Sequence, residues 1–229
     1  MKFNLNILKY GNVFLSEFFG TAILLFISCF GSLPNKEFSG HFNACITSGL
    51  AVMSVMQIFG HISGAHVNPV TTICACIMGQ VDVLQAVIYF VAQMWGSLAG
   101  FGLLLIIFPE AHSTFGMTLP LETMKTWKVF IIEVLITFVL SIANCSTWDP
   151  RVGKLKDSMP LRIGFLVIAL NLIAAPYTGC SMNPARSFGP ALWNNQWHIH
   201  WVYWLAPISA GVLAAIIYKF AFNVNSGDE

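Results

Sequence analysis

Six long apolar stretches alternate with polar connections along the chain, and two shorter apolar stretches lie among those connections. The long stretches cover about 13–33, 41–60, 83–108, 129–146, 161–177 and 201–222. A helix needs about 20 apolar residues to cross ~30 Å of hydrocarbon, so each stretch predicts one transmembrane helix. The short stretches, 67–79 and 182–193, cannot cross. The pattern predicts an all-α membrane protein with six transmembrane helices and two re-entrant half-helices.

The composition agrees with a membrane protein and excludes a soluble domain. Of the 229 residues, 56% are hydrophobic and 9% are charged, whereas about 25% are charged in a soluble domain. We therefore expect a lipid bilayer around the chain. The net charge of +1 provides no basic surface for a nucleic acid, so no nucleic acid partner is expected.

The second half of the chain repeats the first. An offset of 115 residues pairs Asn68 with Asn183, Gly64 with Gly179, and Gly49 with Gly164. An offset of 116 pairs Glu17 with Glu133 and Thr21 with Thr137. Because each repeat has an odd number of transmembrane helices, the second repeat must be inverted relative to the first. We expect one channel domain over 1–229, with repeats at about 10–108 and 127–222 that enclose a solute pathway.

The lysines and arginines in the connections predict the orientation. With both termini in the cytoplasm, the inner segments hold Lys2, Lys9, Arg151, Lys154, Lys156, Arg162 and Lys219. The outer segments hold Lys36, Lys125, Lys128 and Arg186. Because cytoplasmic segments are enriched in lysine and arginine, we expect both termini in the cytoplasm. The expected location, which this distribution does not specify, is the plasma membrane.

Each short apolar stretch contains an Asn-Pro pair that is typical of a helix start. Asn is a preferred N-cap and Pro is favoured in the first helical turn. The predicted central motifs are Asn68, Pro69, Val70 and Asn183, Pro184, Ala185. In inverted repeats the two helix starts would meet near the bilayer centre, and their positive dipole ends would repel cations and protons.

The segments before the two motifs are predicted to be extended, with backbone carbonyls that face the pathway. These carbonyls belong to Gly64, Ala65, His66, Gly179, Cys180 and Ser181. The paired Glu17 and Glu133 are predicted to accept hydrogen bonds from the backbone of these segments rather than to relay protons. His61 and His66 are expected to support the first segment.

The cysteines indicate neither a metal site nor a disulfide framework. All six lie in or beside apolar stretches, without the spacing that zinc or a redox pair requires. No nucleophile stands beside a base. We therefore expect no metal, no cofactor and no enzymatic activity.

The two motif segments, HISGAHVNPVTT and YTGCSMNPARSFGPALW, resemble the signature loops of the major intrinsic proteins, the aquaporins and glycerol facilitators. The resemblance covers essentially the whole chain, including Glu17 to Thr21 and HWVYW at the start of the sixth helix. Val70 departs from the Ala that is usual in this family and should alter packing more than chemistry. The resemblance implies a passive channel and a homotetramer in which each subunit has its own pore.

The resemblance also places an outer constriction, called the selectivity filter, at Ser48, Asn171, Cys180 and Arg186. Water-selective members usually have Phe in place of Ser48 and His in place of Asn171. The smaller side chains predict a wider, still polar opening that passes glycerol and urea besides water.

Other positions that separate the subfamilies are of the water-channel type, namely Ser187, Ala191, Tyr203 and Trp204. This combination resembles the insect entomoglyceroporins. The alternative within the family is a water-selective aquaporin whose opening is closed by side chains from elsewhere. A secondary transporter would need a coupling-ion site at mid-membrane, and no intramembrane acid has an obvious basic partner. A non-conducting junction protein is a further alternative.

Overall fold

The computed structural model describes residues 2–33, 40–109 and 114–222. Its helices are α1 (Lys2–Phe30), α2 (Gly40–Ser63), α3 (Pro69–Ile77), α4 (Val83–Ile107), α5 (Thr126–Thr147), α6 (Met159–Thr178), α7 (Pro184–Trp193) and α8 (Val202–Ile217). Six of them are long and apolar enough to cross a bilayer. The short helices α3 and α7 are the half-helices, so the predicted fold class is confirmed.

The charge count used for orientation includes some residues that the structure does not cover. Lys36 and the side chains of Lys2, Lys154 and Lys156 lie outside the described residues. The same holds for 110–113 and 223–229, which belong to the predicted domain of 1–229.

The first helix is longer than its apolar stretch. α1 begins at Lys2 rather than at residue 13, because a helix can continue through polar residues once it has left the hydrocarbon, whereas an apolar window detects only the part that crosses. At the other end of the chain, α8 ends at Ile217 and continues as a π-helical turn over Tyr218–Phe222.

The helices pack as two related triplets that exchange their half-helices. Within the first repeat α1 packs against α2 and α4, and within the second α5 packs against α6 and α8. Across the repeats α2 packs against α6. The half-helix α3 of the first repeat packs against α8 of the second, and α7 packs against α4 of the first. Each half-helix therefore packs against helices of both repeats.

The repeat-related glycines Gly49 and Gly164 meet where α2 crosses α6. A methyl group built on Gly49 would lie 2.4 Å from the carbonyl oxygen of Gly164, and one built on Gly164 would lie 2.9 Å from that of Gly49. Neither distance is compatible with a side chain. The two helices therefore approach with backbone in contact, as small residues allow in membranes.

Val70, the departure in the first motif, is accommodated by a glycine on α8. The Val70 side chain is buried, and its Cγ1 would lie 2.4 Å from a methyl group built on Gly211. The larger side chain on the half-helix therefore fills the space that Gly211 leaves open. This supports the expectation that Val70 changes packing.

We predict that Gly211→Ala lowers thermal stability and that Val70→Ala in the same chain restores it. Overpacking a well-filled site costs about 1 to 3 kcal/mol, and removing the valine methyl groups relieves the overlap. Thermal unfolding in detergent of the two single variants and the double variant measures this coupling. Equal losses from Gly211→Ala with Val70 or Ala at position 70 would show that the two residues are independent.

An ion pair beyond the end of α5 holds the π-helical turn at Tyr218–Phe222. Asp149 accepts hydrogen bonds from the Arg151 guanidinium at 2.6 and 2.9 Å and from the Tyr218 hydroxyl at 2.9 Å. The Arg151 guanidinium holds the pKa of the buried Asp149 carboxyl well below its usual range. Lys219 donates to the carbonyl of Ile77, at the end of α3. The end of α8 is thus tied to α5 and to the first half-helix.

Candidate solute pathway

The two half-helices meet start to start and are joined by their cap residues. Asn68 Oδ1 accepts from the Val70 N–H at 2.9 Å, and Asn183 Oδ1 accepts from the Ala185 N–H at 3.0 Å. The amide nitrogens cross between the repeats. Asn68 Nδ2 donates to the Met182 carbonyl at 2.9 Å, and Asn183 Nδ2 donates to the Val67 carbonyl at 2.8 Å. Each carboxamide therefore keeps one N–H that no protein group takes within the described residues.

The sequence predicts that the segments before the motifs are extended. In the structure their backbone departs from this prediction. Ala65 and Val67 in the first segment have positive φ angles of 48° and 43°, and Cys180 and Met182 in the second have 53° and 49°. Each pair is related by the offset of 115. Left-handed residues that alternate with ordinary ones turn the backbone N–H groups towards one side. Such a conformation is costly for residues other than glycine and requires partners that hold it.

Glu17 holds the first of these segments. The Glu17 carboxylate is fully buried and accepts from the backbone N–H groups of His66 at 2.9 Å and Val67 at 2.7 Å. It also accepts from the Ser63 hydroxyl at 2.6 Å and from Gln93 Nε2 at 2.8 Å. Its oxygens are saturated by donors of the scaffold.

Glu133 holds the second segment in the same way. It is also fully buried and accepts from the N–H groups of Ser181 at 3.0 Å and Met182 at 3.1 Å. The Thr178 hydroxyl donates to it at 2.7 Å. Both glutamates thus act on backbone N–H groups.

Two tyrosines secure the same segments: Tyr89, which the sequence did not indicate, and Tyr203, which was named above only as a water-channel-type position. The hydroxyl of Tyr89 donates to the Ser63 carbonyl, and that of Tyr203 donates to the Thr178 carbonyl at 2.8 Å. The tyrosines lie on α4 and α8 at an offset of 114. Extending the repeat alignment into the last helix of each repeat would have paired them.

The carbonyls predicted to line the pathway have no protein donor. No group in the described part of the chain donates to the carbonyls of Gly64, Ala65, His66, Gly179, Cys180 or Ser181. Five of these six residues line a narrow central cavity of about 100 Å³. Gly179 instead lines a wide outer vestibule of about 740 Å³. These carbonyls are free to accept hydrogen bonds from a solute.

Three of the four predicted filter residues lie between the vestibule and the central cavity. Ser48, Asn171 and Arg186 line both spaces, whereas Cys180 lines only the central cavity. The structure therefore brings all four together, with Cys180 on the central-cavity side of the other three. The Cys180 thiol lies 3.7 Å from the Leu170 carbonyl.

The side chains of Ser48 and Asn171 are folded back on their own helices. The Ser48 hydroxyl donates to the Ala44 carbonyl at 2.7 Å, and Asn171 Nδ2 donates to the Val167 carbonyl at 2.9 Å. The hydroxyl oxygen of Ser48 and the carboxamide oxygen of Asn171 are left as acceptors. The opening is therefore bounded by two short acceptors rather than by rings.

Arg186 supplies the donors at the same level and is held by the connection between α4 and α5. Its Nη1 donates to the Gly116 carbonyl at 2.6 Å and reaches Thr118 Oγ1 at 3.4 Å. Because a guanidinium has five N–H donors, others remain for a solute. No sequence pattern indicates this support, since Gly116 and Thr118 are about 70 residues away from Arg186 in the chain.

The two histidines of the first segment, His61 and His66, differ in burial and in hydrogen bonding. His66 is buried, its Nδ1 lies 3.2 Å from Thr72 Oγ1, and its ring packs against Tyr89. His61 is exposed at the end of α2, and within the described residues its ring makes no hydrogen bond. The expectation that both support the segment is therefore wrong for His61, because the helix turns its ring outward.

Cys45 is a second cysteine in the pathway. It lines the outer vestibule, where its Sγ lies 3.7 Å from His41 Nε2. The vestibule is much wider than the central cavity. A bulky adduct on Cys45 therefore leaves room for solutes, whereas one on Cys180 does not.

We predict that mercurials block water flux through Cys180. Cys180→Ser should make the flux insensitive, and Cys45→Ser should leave it as sensitive as in the unmodified protein. Stopped-flow shrinkage of proteoliposomes with and without mercuric chloride measures both. Equal sensitivity of Cys180→Ser and the unmodified protein would show that the second segment is placed wrongly.

Comparisons with known proteins agree with this geometry. A family model described as Major intrinsic protein matches residues 5–218. Aquaporin-4 of Mus musculus is 37% identical over 175 residues, which are 76% of this chain and 54% of that protein. A probable TIP-type aquaporin of Medicago truncatula is 33% identical over 94% of this chain and 88% of its own length. The matched region spans about half of the aquaporin-4 relatives.

A solved structure shares the fold. The X-ray structure of the aquaglyceroporin from Plasmodium falciparum superposes with a TM-score of 0.83 and covers 93% of this chain and 96% of that one. At 22% identity, this similarity concerns the architecture alone.

Proposed function

Because the chain belongs to the major intrinsic protein family and is a multi-pass membrane protein, we propose that it is a passive channel for water, glycerol and urea. The solute range is inferred from the short side chains of Ser48 and Asn171, which lie between the vestibule and the central cavity. Glycerol has hydroxyls along one edge and C–H groups along the other, so it needs both width and hydrogen-bonding partners on one side.

The filter offers these partners in a suitable arrangement. Arg186 supplies donors, and the oxygens of Ser48 and Asn171 supply acceptors. A hydroxyl that crosses without partners would lose about 1 to 3 kcal/mol, which slows passage roughly tenfold or more. The short side chains provide width without removing these partners.

The alternative, a water-selective aquaporin, is favoured by the water-type residues Ser187 and Tyr203. In the structure both support the second segment. The buried Ser187 hydroxyl lies 2.8 Å from those of Thr118 and Ser181, and Tyr203 donates to Thr178. These residues do not line either space of the pathway. Their identity therefore concerns support of the segment rather than the width of the opening, and we favour an entomoglyceroporin-like channel.

We also propose a homotetramer in the plasma membrane with both termini in the cytoplasm. One chain by itself supplies the vestibule, the filter and the central cavity, as expected if each subunit has its own pore. Crosslinking in native membranes tests the number of subunits, and protease accessibility of a terminal tag tests the orientation.

Stopped-flow light scattering on proteoliposomes tests the solute range. Gradients of an impermeant sugar, glycerol and urea measure the three permeabilities in the same vesicles, with protein-free liposomes as the control. We expect all three to exceed the control. Water permeability without glycerol or urea permeability would establish the water-selective alternative. Saturation at low solute concentration would indicate a carrier, and no flux at all would favour a junction role.

We predict that protons do not pass although water does. The opposed starts of α3 and α7 present two positive dipole ends at the centre, and the free N–H groups of Asn68 and Asn183 bind a water oxygen rather than a hydronium ion. A pH-sensitive dye in the proteoliposomes measures proton leak, with a proton ionophore as the positive control. A leak that rises with protein density would contradict this barrier.

A further inference from the structure

The repeat offset relates the outer filter to a set of residues at the inner end of the central cavity. At an offset of 115, Arg186 corresponds to Thr71 and Asn171 to Met56, and Ser48 corresponds to Ile163. All of them line the central cavity. The end away from the vestibule is also lined by Asn144, on the last turn of α5. The inverted repeat thus places a second ring of pore residues below the half-helices.

Thr71 and Asn144 form a polar pair in this inner ring. Asn144 Nδ2 donates to Thr71 Oγ1 at 3.1 Å, which joins α5 to the half-helix α3. Both side chains are partly exposed. In the described part of the chain, no protein group accepts the Thr71 hydroxyl hydrogen or donates to the Asn144 carboxamide oxygen. One donor and one acceptor therefore stand side by side at the pore wall, as a hydroxyl group requires.

The part of the inner ring that α2 and α6 contribute is apolar. Helices α2 and α6 contribute Val52, Met56, Ile163 and Val167 to the central cavity. At the outer filter the corresponding wall carries the acceptors of Ser48 and Asn171. The inner ring therefore combines one polar edge, from α3 and α5, with one apolar edge, from α2 and α6.

We propose that Thr71 and Asn144 form an inner subsite that binds one hydroxyl of a polyol while its C–H edge lies against Met56 and Ile163. The proposal rests on the proposed function, since only a channel that passes polyols would use this subsite. The subsite acts after the outer filter and discriminates by hydrogen bonding rather than by width. Water, which is small enough to keep its water neighbours, depends on it less.

The test removes the polar groups without changing the volume of the side chains greatly. Thr71→Val deletes the hydroxyl, and Asn144→Leu deletes the carboxamide. We expect each to lower the ratio of glycerol to water permeability about tenfold in the same proteoliposomes. The matched control is Thr47→Val, because Thr47 lies outside both spaces and its hydroxyl bonds within α2.

The outcomes separate the subsite from the proposed function. If the unmodified protein passes glycerol and both variants keep its ratio of glycerol to water permeability, the subsite is refuted and the proposed function stands. A parallel loss of water and glycerol flux in Thr71→Val would also refute the subsite. If the unmodified protein passes water alone, the proposed function itself fails. Should Asn144→Leu prevent folding, Thr71→Val decides.

Discussion

The double variant Ser48→Phe with Asn171→His is expected to lose glycerol and urea permeability and to keep water permeability. Both side chains stand between the vestibule and the central cavity and are folded against their own helices. A phenyl ring at Ser48 would fill the width that these short side chains leave, and an imidazole at Asn171 would still offer a hydrogen bond to water. We expect at least a tenfold fall in glycerol permeability, since a narrowed opening forces hydroxyls to cross without partners.

Stopped-flow measurements with sugar, glycerol and urea gradients on the same vesicles test this result. The matched control is Ser54→Phe, because Ser54 lies on α2 with a partly exposed side chain and lines neither space. Equal glycerol permeability of the double variant and the unmodified protein would show that the width is set elsewhere. Loss of water flux as well would show that the ring closes the opening rather than narrowing it.

Glu133→Leu is expected to abolish the folded channel. The substitution leaves the N–H groups of Ser181 and Met182 buried without an acceptor, and each costs about 1 to 3 kcal/mol. The two together, about 2 to 6 kcal/mol, are a large share of the whole stability of many proteins, about 5 to 15 kcal/mol. The left-handed backbone at Cys180 and Met182 adds to the loss, because the carboxylate is what holds it.

Thermal unfolding in detergent and water flux per reconstituted subunit measure the effect. Glu133→Gln should be intermediate, since one oxygen can still accept while the new amide nitrogen faces a donor. Glu122→Leu is the control, because Glu122 is exposed in the connection between α4 and α5. A Glu133→Leu protein that stays folded and keeps its water flux would show that the carboxylate does not hold the second segment.

The half-helices and the repeat could be predicted because their determinants are local. Asn68 and Pro69 lie next to each other, as do Asn183 and Pro184, and a cap followed by proline fixes a helix start without any other part of the fold. The helix ends were less predictable. Polar residues continue α1 back to Lys2, and an apolar window does not report them.

The details of the pathway could not be predicted because they depend on residues that are distant in the chain. Three contacts between separate helices or connections illustrate this. They are the hydrogen bond from Arg186 to the Gly116 carbonyl, the hydrogen bond from Asn144 to Thr71, and the packing of Val70 against Gly211. No periodicity or spacing specifies such pairs. The left-handed residues were missed for a related reason, since Ala65 and Val67 have no intrinsic preference for positive φ and adopt it only against Glu17.

The crossed amide bonds between the repeats have a consequence for biosynthesis. The Val67 carbonyl accepts its hydrogen bond from Asn183, which is synthesised 116 residues later. The partner of the Asn68 amide, the Met182 carbonyl, also belongs to the second repeat. The whole first repeat is therefore synthesised before the last hydrogen-bond partners of its pore segment. The helix α8, against which the half-helix α3 packs, is also synthesised later. The pore segment of the first repeat can therefore reach its final hydrogen bonding only after the second repeat has been synthesised.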